Sequence, residues 1–260
     1  VWSLLVVVSL LSWTGRWGEV LGLLGSWRRI VVLMASTLCI SVNWLVFIRV
    51  VGEGNVLEAS MGYFLNPLVN VALGVLVLKE RLRLAQWLAV GLALIGILEL
   101  GIATGTPPWA ALTLAGTFGL YGLLRKKLPV APLTGLAVET GLLFPLAAFY
   151  LIWRASQGQP AFGGTLALGA ALVAGGPVTA APLLWFAAAA SRLRYTTLGF
   201  FQYLAPTGHF LLAVLVYGES PGPHHLFTFA CIWTAIALYL ADSWRHRLRP
   251  PPPPRRSPEG

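Results

Sequence analysis

Apolar residues run along this chain in blocks long enough to be helices, separated by short polar or basic stretches. Nine blocks can be placed, at roughly 1–13, 30–50, 56–78, 84–103, 107–124, 133–153, 166–190, 197–217 and 223–242. Most approach the ~20 residues an α-helix needs to cross a bilayer core. Short connections make consecutive helices antiparallel neighbours. The pattern predicts an all-α, polytopic membrane helix bundle with nine spans.

Two of the blocks carry one pattern. Pro67 is followed 13 residues later by Glu80, and Pro206 is followed 13 residues later by Glu219. A shift of 139 residues relates the two stretches without gaps, from Asn43 opposite Pro182 to Gln86 opposite His225. The block at 30–50 then answers the block at 166–190, five blocks later. Five is odd, so the copies are predicted to run in opposite directions, an inverted 5+5 repeat. Residues 1–106 form the first five-helix unit and 107–243 the second. The block at 107–124 opens the second unit, and its partner would precede Val1, so the first unit is expected to lack its first helix.

Charge sets the orientation. Sixteen of the 18 lysines and arginines fall on alternate connections and the C-terminal end, and only Arg49 and Arg154 fall on the others. By the positive-inside tendency the C-terminus is cytoplasmic. The net charge of +9 does not indicate nucleic acid, because the basic residues sit in short groups between apolar blocks rather than on one face. Residues 244–260 are rich in Arg and Pro, with Pro250–Pro254 in sequence. They are expected to be a disordered, extended cytoplasmic tail, its arginines near anionic membrane lipids.

The polar residues inside the apolar blocks are the candidates for chemistry. Ser60, Tyr63, Asn66, Pro67 and Asn70 recur at three- and four-residue spacing, on one helix face. Amides are costly in hydrocarbon, so this face is predicted to look inward, lining a cavity or bonding neighbouring helices. Gln202, Pro206 and His209 share a face in the second copy, next to Tyr203. Asn43, Trp44 and Trp185 lie mid-block. The candidate solute-binding set is therefore Asn43, Trp44, Tyr63, Asn66, Asn70, Trp185, Gln202 and Tyr203. Glu139, an acid within its block, and His209 are candidates for proton coupling. Pro67, Pro177 and Pro206 are candidate hinges, and Gly175-Gly176-Pro177 predicts a broken helix. Glu58, Glu80 and Glu219 lie near helix ends, where backbone groups or Arg81 and its neighbours are the expected partners. Gly116, Gly119 and Gly122 predict a small-residue packing face.

Catalytic and cofactor signatures point nowhere else. The chain has no HExxH, Walker or CxxC pattern. Cys39 and Cys231 lie inside apolar blocks and read as packing residues. His224-His225 lacks nearby acidic or cysteine residues in sequence for a metal site. No cofactor and no metal is expected.

Several strings resemble a known family. They are Asn43-Trp44, Leu57-Glu58-Ala59-Ser60, Gly62-Tyr63-Phe64, Asn66-Pro67-Leu68-Val69-Asn70, Tyr121-Gly122-Leu123 with Arg125-Lys126-Lys127, Glu139-Thr140, and Thr197 to Tyr203 followed by Pro206-Thr207. Together they resemble the EamA-type drug/metabolite transporters, in the RarD branch, which is labelled after chloramphenicol sensitivity. The resemblance implies a ten-helix transporter of the bacterial plasma (inner) membrane. Arg49 and His209 depart from the apolar character it implies at those positions, and the proline-rich tail is particular to this chain.

The expected function is secondary transport of a small organic solute by alternating access. A passive channel or facilitator is the alternative, and a membrane-embedded enzyme a further one. The expected partners are the solute and membrane lipids, with no nucleic acid and a homodimer as the candidate assembly.

Overall fold

The computed structural model describes residues 1–53, 56–104, 109–158, 165–216 and 222–247. These residues form only helices, as the apolar blocks predict. They are α1 (Trp2–Thr14), α2 (Trp17–Leu24), α3 (Trp27–Gly52), α4 (Val56–Leu76), α5 (Leu84–Thr104), α6 (Trp109–Lys127), α7 (Pro132–Ser156), α8 (Leu166–Arg192), α9 (Tyr195–Gln202), α10 (Leu204–Leu215) and α11 (Pro223–Arg247). The tail from Leu248, with Glu219, lies outside the described residues, as do the side chains of Glu58, Ser60 and His209.

Five helices, α3, α5, α7, α8 and α11, are long and apolar enough to cross a membrane, and the bent pair α1 and α2 passes the same test together. Tryptophans mark helix ends. Trp27 opens α3, Trp109 opens α6 and Trp244 lies near the end of α11, all three exposed. That placement suits the membrane–water interface, where an indole keeps its ring in the apolar layer and its N–H wet.

The 139-residue shift also relates helix starts. It carries Trp27 onto Leu166, Val56 onto Tyr195 and Leu84 onto Pro223, the first residues of α3 and α8, α4 and α9, and α5 and α11. Equivalent helices also meet: α4 packs on α9, and α5 on α11. Ala89, Ala93 and Gly96 line α5 there. A Cβ added at Gly96 would stand 2.9 Å from Cys231 Cβ, and Thr228 Oγ1 donates 2.9 Å to the Gly96 carbonyl. Lipid tails are as apolar as the side chains, so helices associate in a bilayer through such close backbone contact.

The two proline-bearing copies fold differently. In α4, Pro67 sits inside one continuous helix. In the second copy the helix stops at Gln202 and restarts at Leu204. Pro206 then falls in the first turn of α10, where a missing N–H has no helical partner to lose.

Other expectations need correction. The loop after the first block contains α2, bent by 113° from α1 at Gly15, which adopts a left-handed φ of 66°. Eight residues with two glycines are too short to show a periodic signal. The helix over Gly175-Gly176-Pro177 is not broken, because α8 runs unbroken from Leu166 to Arg192 with Pro177 and Pro182 inside it. Gly176 serves packing instead: a Cβ there would stand 2.8 Å from the Trp2 backbone of α1. On α6, Gly119 and Gly122 admit side chains of α4, α8 and α9, whereas Gly116 faces open space.

Candidate functional site

Between α3, α4, α6, α8 and the α9–α10 break lies a cavity of about 570 Å³. Its position follows from the fold, since mid-helix residues of both copies converge there. Five of the sequence candidates line it: Asn43 and Trp44 on α3, Tyr63 and Asn66 on α4, and Gln202 at the end of α9. Aromatic rings make up much of the rest of the wall. Phe118 and Phe186 meet at 4.8 Å, and Phe47 stands edge-on to Tyr63 at 6.2 Å. A largely apolar wall with a few placed polar groups is the common form of a small-molecule site.

The polar groups are held in place by bonds between helices. Asn43 Nδ2 donates to the Leu114 carbonyl at 2.8 Å and to Thr117 Oγ1 at 3.0 Å, fixing α3 to α6. Gln202 joins the two copies. Its Oε1 accepts from Asn66 Nδ2 at 3.0 Å and also from Asn70 Nδ2. The amide oxygens of Asn66 and Asn70 are buried without a hydrogen-bond partner. The close approach behind this trio needs Gly199, where a Cβ would stand 2.8 Å from the Pro67 carbonyl.

Three sequence candidates do not reach the cavity wall. Asn70 is fully buried behind it and donates to Gln202 Oε1. Tyr203 is 1% exposed and packs on Phe200 in the core between α4, α5, α9 and α11. Trp185 is 73% exposed on the outside of α8. One helix residue away, Phe186 takes the inward position, because 100° of helical rotation separates neighbours.

A second cavity, about 240 Å³, adjoins the first. Ile40, Trp44, Thr179 and Leu183 line both. Its acidic wall residue is Glu139 on α7, whose side chain is 2% exposed. Ser36 Oγ donates to Glu139 Oε1 at 2.5 Å, and Arg125 Nη1 stands 3.8 Å from the same oxygen. Tyr121 lies beside the carboxylate, with its hydroxyl placed to donate a hydrogen bond to it.

Sequence reasoning found Glu139 but missed Arg125, whose side chain is also 2% exposed. It opens an Arg-Lys-Lys run that reads as a solvated positive flank. The short connection from α6 to α7 brings it back onto Glu139, and Gly135 leaves room for the guanidinium. A Cβ there would stand 1.7 Å from Arg125 Nη1. Arg125 Nη2 donates to the Pro132 carbonyl at 3.1 Å, while Nε and Nη1 have no hydrogen-bond partner.

Known proteins share this chain's sequence and its fold. Residues 1–101 match the EamA-like transporter family. An uncharacterized transporter of Pseudomonas aeruginosa is 49% identical over 95% of this chain and 87% of its own length. Protein RarD of Escherichia coli is 46% identical over 94% of this chain and 82% of its own. The chain belongs to the EamA-like transporter family. Its relatives place it in the RarD branch, and it is a membrane transporter of the drug/metabolite superfamily. A second P. aeruginosa relative, the chloramphenicol-sensitive protein RarD, is 33% identical over 94% of the chain and 83% of its own length. A solved crystal structure shares the fold of this EamA-family chain at a TM-score of 0.68. It has 21% identity and covers 94% of this chain and 86% of the other.

Proposed function

We propose that this EamA-family protein is a secondary transporter, not an enzyme, that moves a small organic solute by alternating access across the bacterial inner membrane. One five-helix unit rocks against the other, and the C-terminus lies in the cytoplasm. The observation that carries the reading is the larger cavity, lined by side chains from both copies of the repeat and bridged by the Gln202–Asn66 bond. Asn43, Trp44, Tyr63, Asn66 and Gln202 contact the solute, and Asn70 positions Gln202. Pro67 and the break before Pro206 are the hinges in this scheme. Glu139 is the coupling acid, with Arg125, Ser36 and Tyr121 as the polar groups facing it from α6 and α3.

Solute counterflow in proteoliposomes tests the carrier. One relative's name makes chloramphenicol the first solute to try. A carrier gives saturable exchange of labelled for unlabelled solute; flux that rises linearly with concentration and tracks conductance would show a channel instead. If Glu139 couples transport to protons, Glu139→Gln flattens the dependence of uptake on pH. An unchanged profile removes that role.

A further inference from the structure

A side-chain amide has an accepting end and a donating end, and a bond to a backbone carbonyl fixes which end is which. Asn43 Nδ2 donates to the Leu114 carbonyl, so its Oδ1 takes the opposite end. Thr117 agrees: its hydroxyl gives its own proton to the Thr113 carbonyl at 2.6 Å and accepts from Asn43. Gln202 Oε1 receives two N–H groups, from Asn66 and Asn70, which leaves its Nε2 hydrogens unused. The oxygens of Asn66 and Asn70 are enclosed, but Asn43 Oδ1 and Gln202 Nε2 keep accessible surface. Among the described residues neither atom has a protein partner. Both residues line the larger cavity, one from each copy of the repeat.

We infer that the transported solute is an uncharged aromatic molecule carrying both a hydrogen-bond donor and a carbonyl, of which a secondary carboxamide is the simplest case. Asn43 Oδ1 accepts its N–H, and Gln202 Nε2 donates to its C=O. This names the solute class of the transporter proposed above and rests on that reading for the transport. The aromatic ring lies among Phe47, Phe118 and Phe186, where offset and edge-on ring contacts are favourable.

Charge and polarity narrow the class. Among the described residues the cavity wall holds no Asp, Glu, Lys, Arg or His. A charged head would enter a low-dielectric interior with no counter-ion, which is costly. A purely apolar solute would strip water from Asn43 Oδ1 and Gln202 Nε2 and leave both unpaired. A molecule with only one of the two functions satisfies one amide and desolvates the other. Because the acceptor stands on α3 and the donor on α9, a solute with both functions bridges the two repeat units.

Three matched probes test this by equilibrium dialysis against the purified full chain in detergent, in mildly alkaline buffer. N-(2-phenylethyl)acetamide has the donor and the carbonyl. 2-Phenylethyl acetate has the carbonyl alone. N-(2,2,2-trifluoroethyl)-2-phenylethylamine, kept neutral by its fluorines, has the donor alone. The amide is expected to bind saturably and about fivefold tighter than either, in the range of one neutral hydrogen bond. Asn43→Val brings the ester level with the amide. Asn43→Asp, which keeps the oxygen but not its tie to Leu114, retains the preference. Gln202→Glu, which still accepts from Asn66 and Asn70, erases the amide's advantage over the amine. Each ratio is internal to one variant, so a general loosening does not mimic it, and if Asn43→Val does not fold the wild-type ratios and Gln202→Glu decide. No saturable binding of the amide, equal binding of the three probes to the wild type, or ratios unchanged in the variants overturns the inference. Counterflow keeps the two readings apart. Amide-selective binding without counterflow of the amide sinks transport and leaves the site. Counterflow of chloramphenicol without discrimination among the probes does the reverse.

Discussion

The Glu80 carboxylate holds the start of α9: its Oε1 accepts from the Tyr195 backbone N–H at 2.7 Å, and its Oε2 from that of Thr196 at 3.0 Å. An acid from the connection after α4 thus caps a helix in the other half of the molecule, where unsatisfied N–H groups and the helix dipole favour negative charge. Gly74 makes the approach possible, since a Cβ there would stand 2.9 Å from Thr196 Cγ2. Arg194 extends the contact by donating to the Arg81 carbonyl at 2.7 Å. Hydrogen bonds to charged groups contribute about 1.5–3 kcal/mol. Glu80→Ala is therefore expected to lower stability by about that much, and Glu80→Gln by less because one acceptor remains. Thermal unfolding of the purified variants in detergent checks the order.

Gly135→Ala should be more damaging than a surface Gly→Ala change. The new Cβ overlaps Arg125 Nη1 and drives the guanidinium from its site beside Glu139. Breaking a buried ion pair costs about 3–5 kcal/mol. Adding Arg125→Met and Glu139→Leu to Gly135→Ala is expected to recover most of the loss. If the triple variant unfolds at the same temperature as Gly135→Ala alone, the pair is not the cause.

Gln202→Leu strips the acceptor from both Asn66 and Asn70. Each buried donor left unpaired costs about 1–3 kcal/mol, and the two halves lose their bridge at the cavity. Gln202→Leu and Asn66→Leu are expected to abolish uptake while the protein still reaches the membrane. Gln202→Glu, which keeps an acceptor at this place, is expected to retain more function. Uptake normalised to membrane-embedded protein measures this, and wild-type rates in both Leu variants would remove these residues from the site.

Two tryptophans of similar sequence context should behave oppositely. Trp44 lines both cavities, whereas Trp185 lies outside them. Trp44→Ala is expected to weaken solute binding about tenfold or more, as loss of a large contact surface does. Trp185→Ala is expected to leave it unchanged. Binding of the same solute to both variants decides.

How much of this was legible in the chain depended on whether the cause was local. Hydrophobic blocks located the helices, and the gapless 139-residue shift anticipated that α3 and α8, α4 and α9, and α5 and α11 begin at equivalent residues. Three- and four-residue spacing put Tyr63 and Asn66 on one face, and both line the cavity. Spacing did not separate Trp185 from Phe186, because an apolar wall and a lipid-facing surface use the same residue types. Nor did it show Arg125 as a buried partner, because its place is set by a chain reversal and by the missing side chain at Gly135. The break between α9 and α10 was equally hidden, since α4 carries the equivalent proline without breaking.

The balance between Arg125 and Glu139 has an electrical consequence. A membrane potential does work only on net charge that moves, about 2.3 kcal/mol per elementary charge for each 100 mV. An ionised pair of opposite sign that moves together contributes none. Movement of the Arg125–Glu139 pair as a unit is therefore electrically silent for as long as both groups stay charged, and protonation of Glu139 would leave the Arg125 charge to respond to the potential.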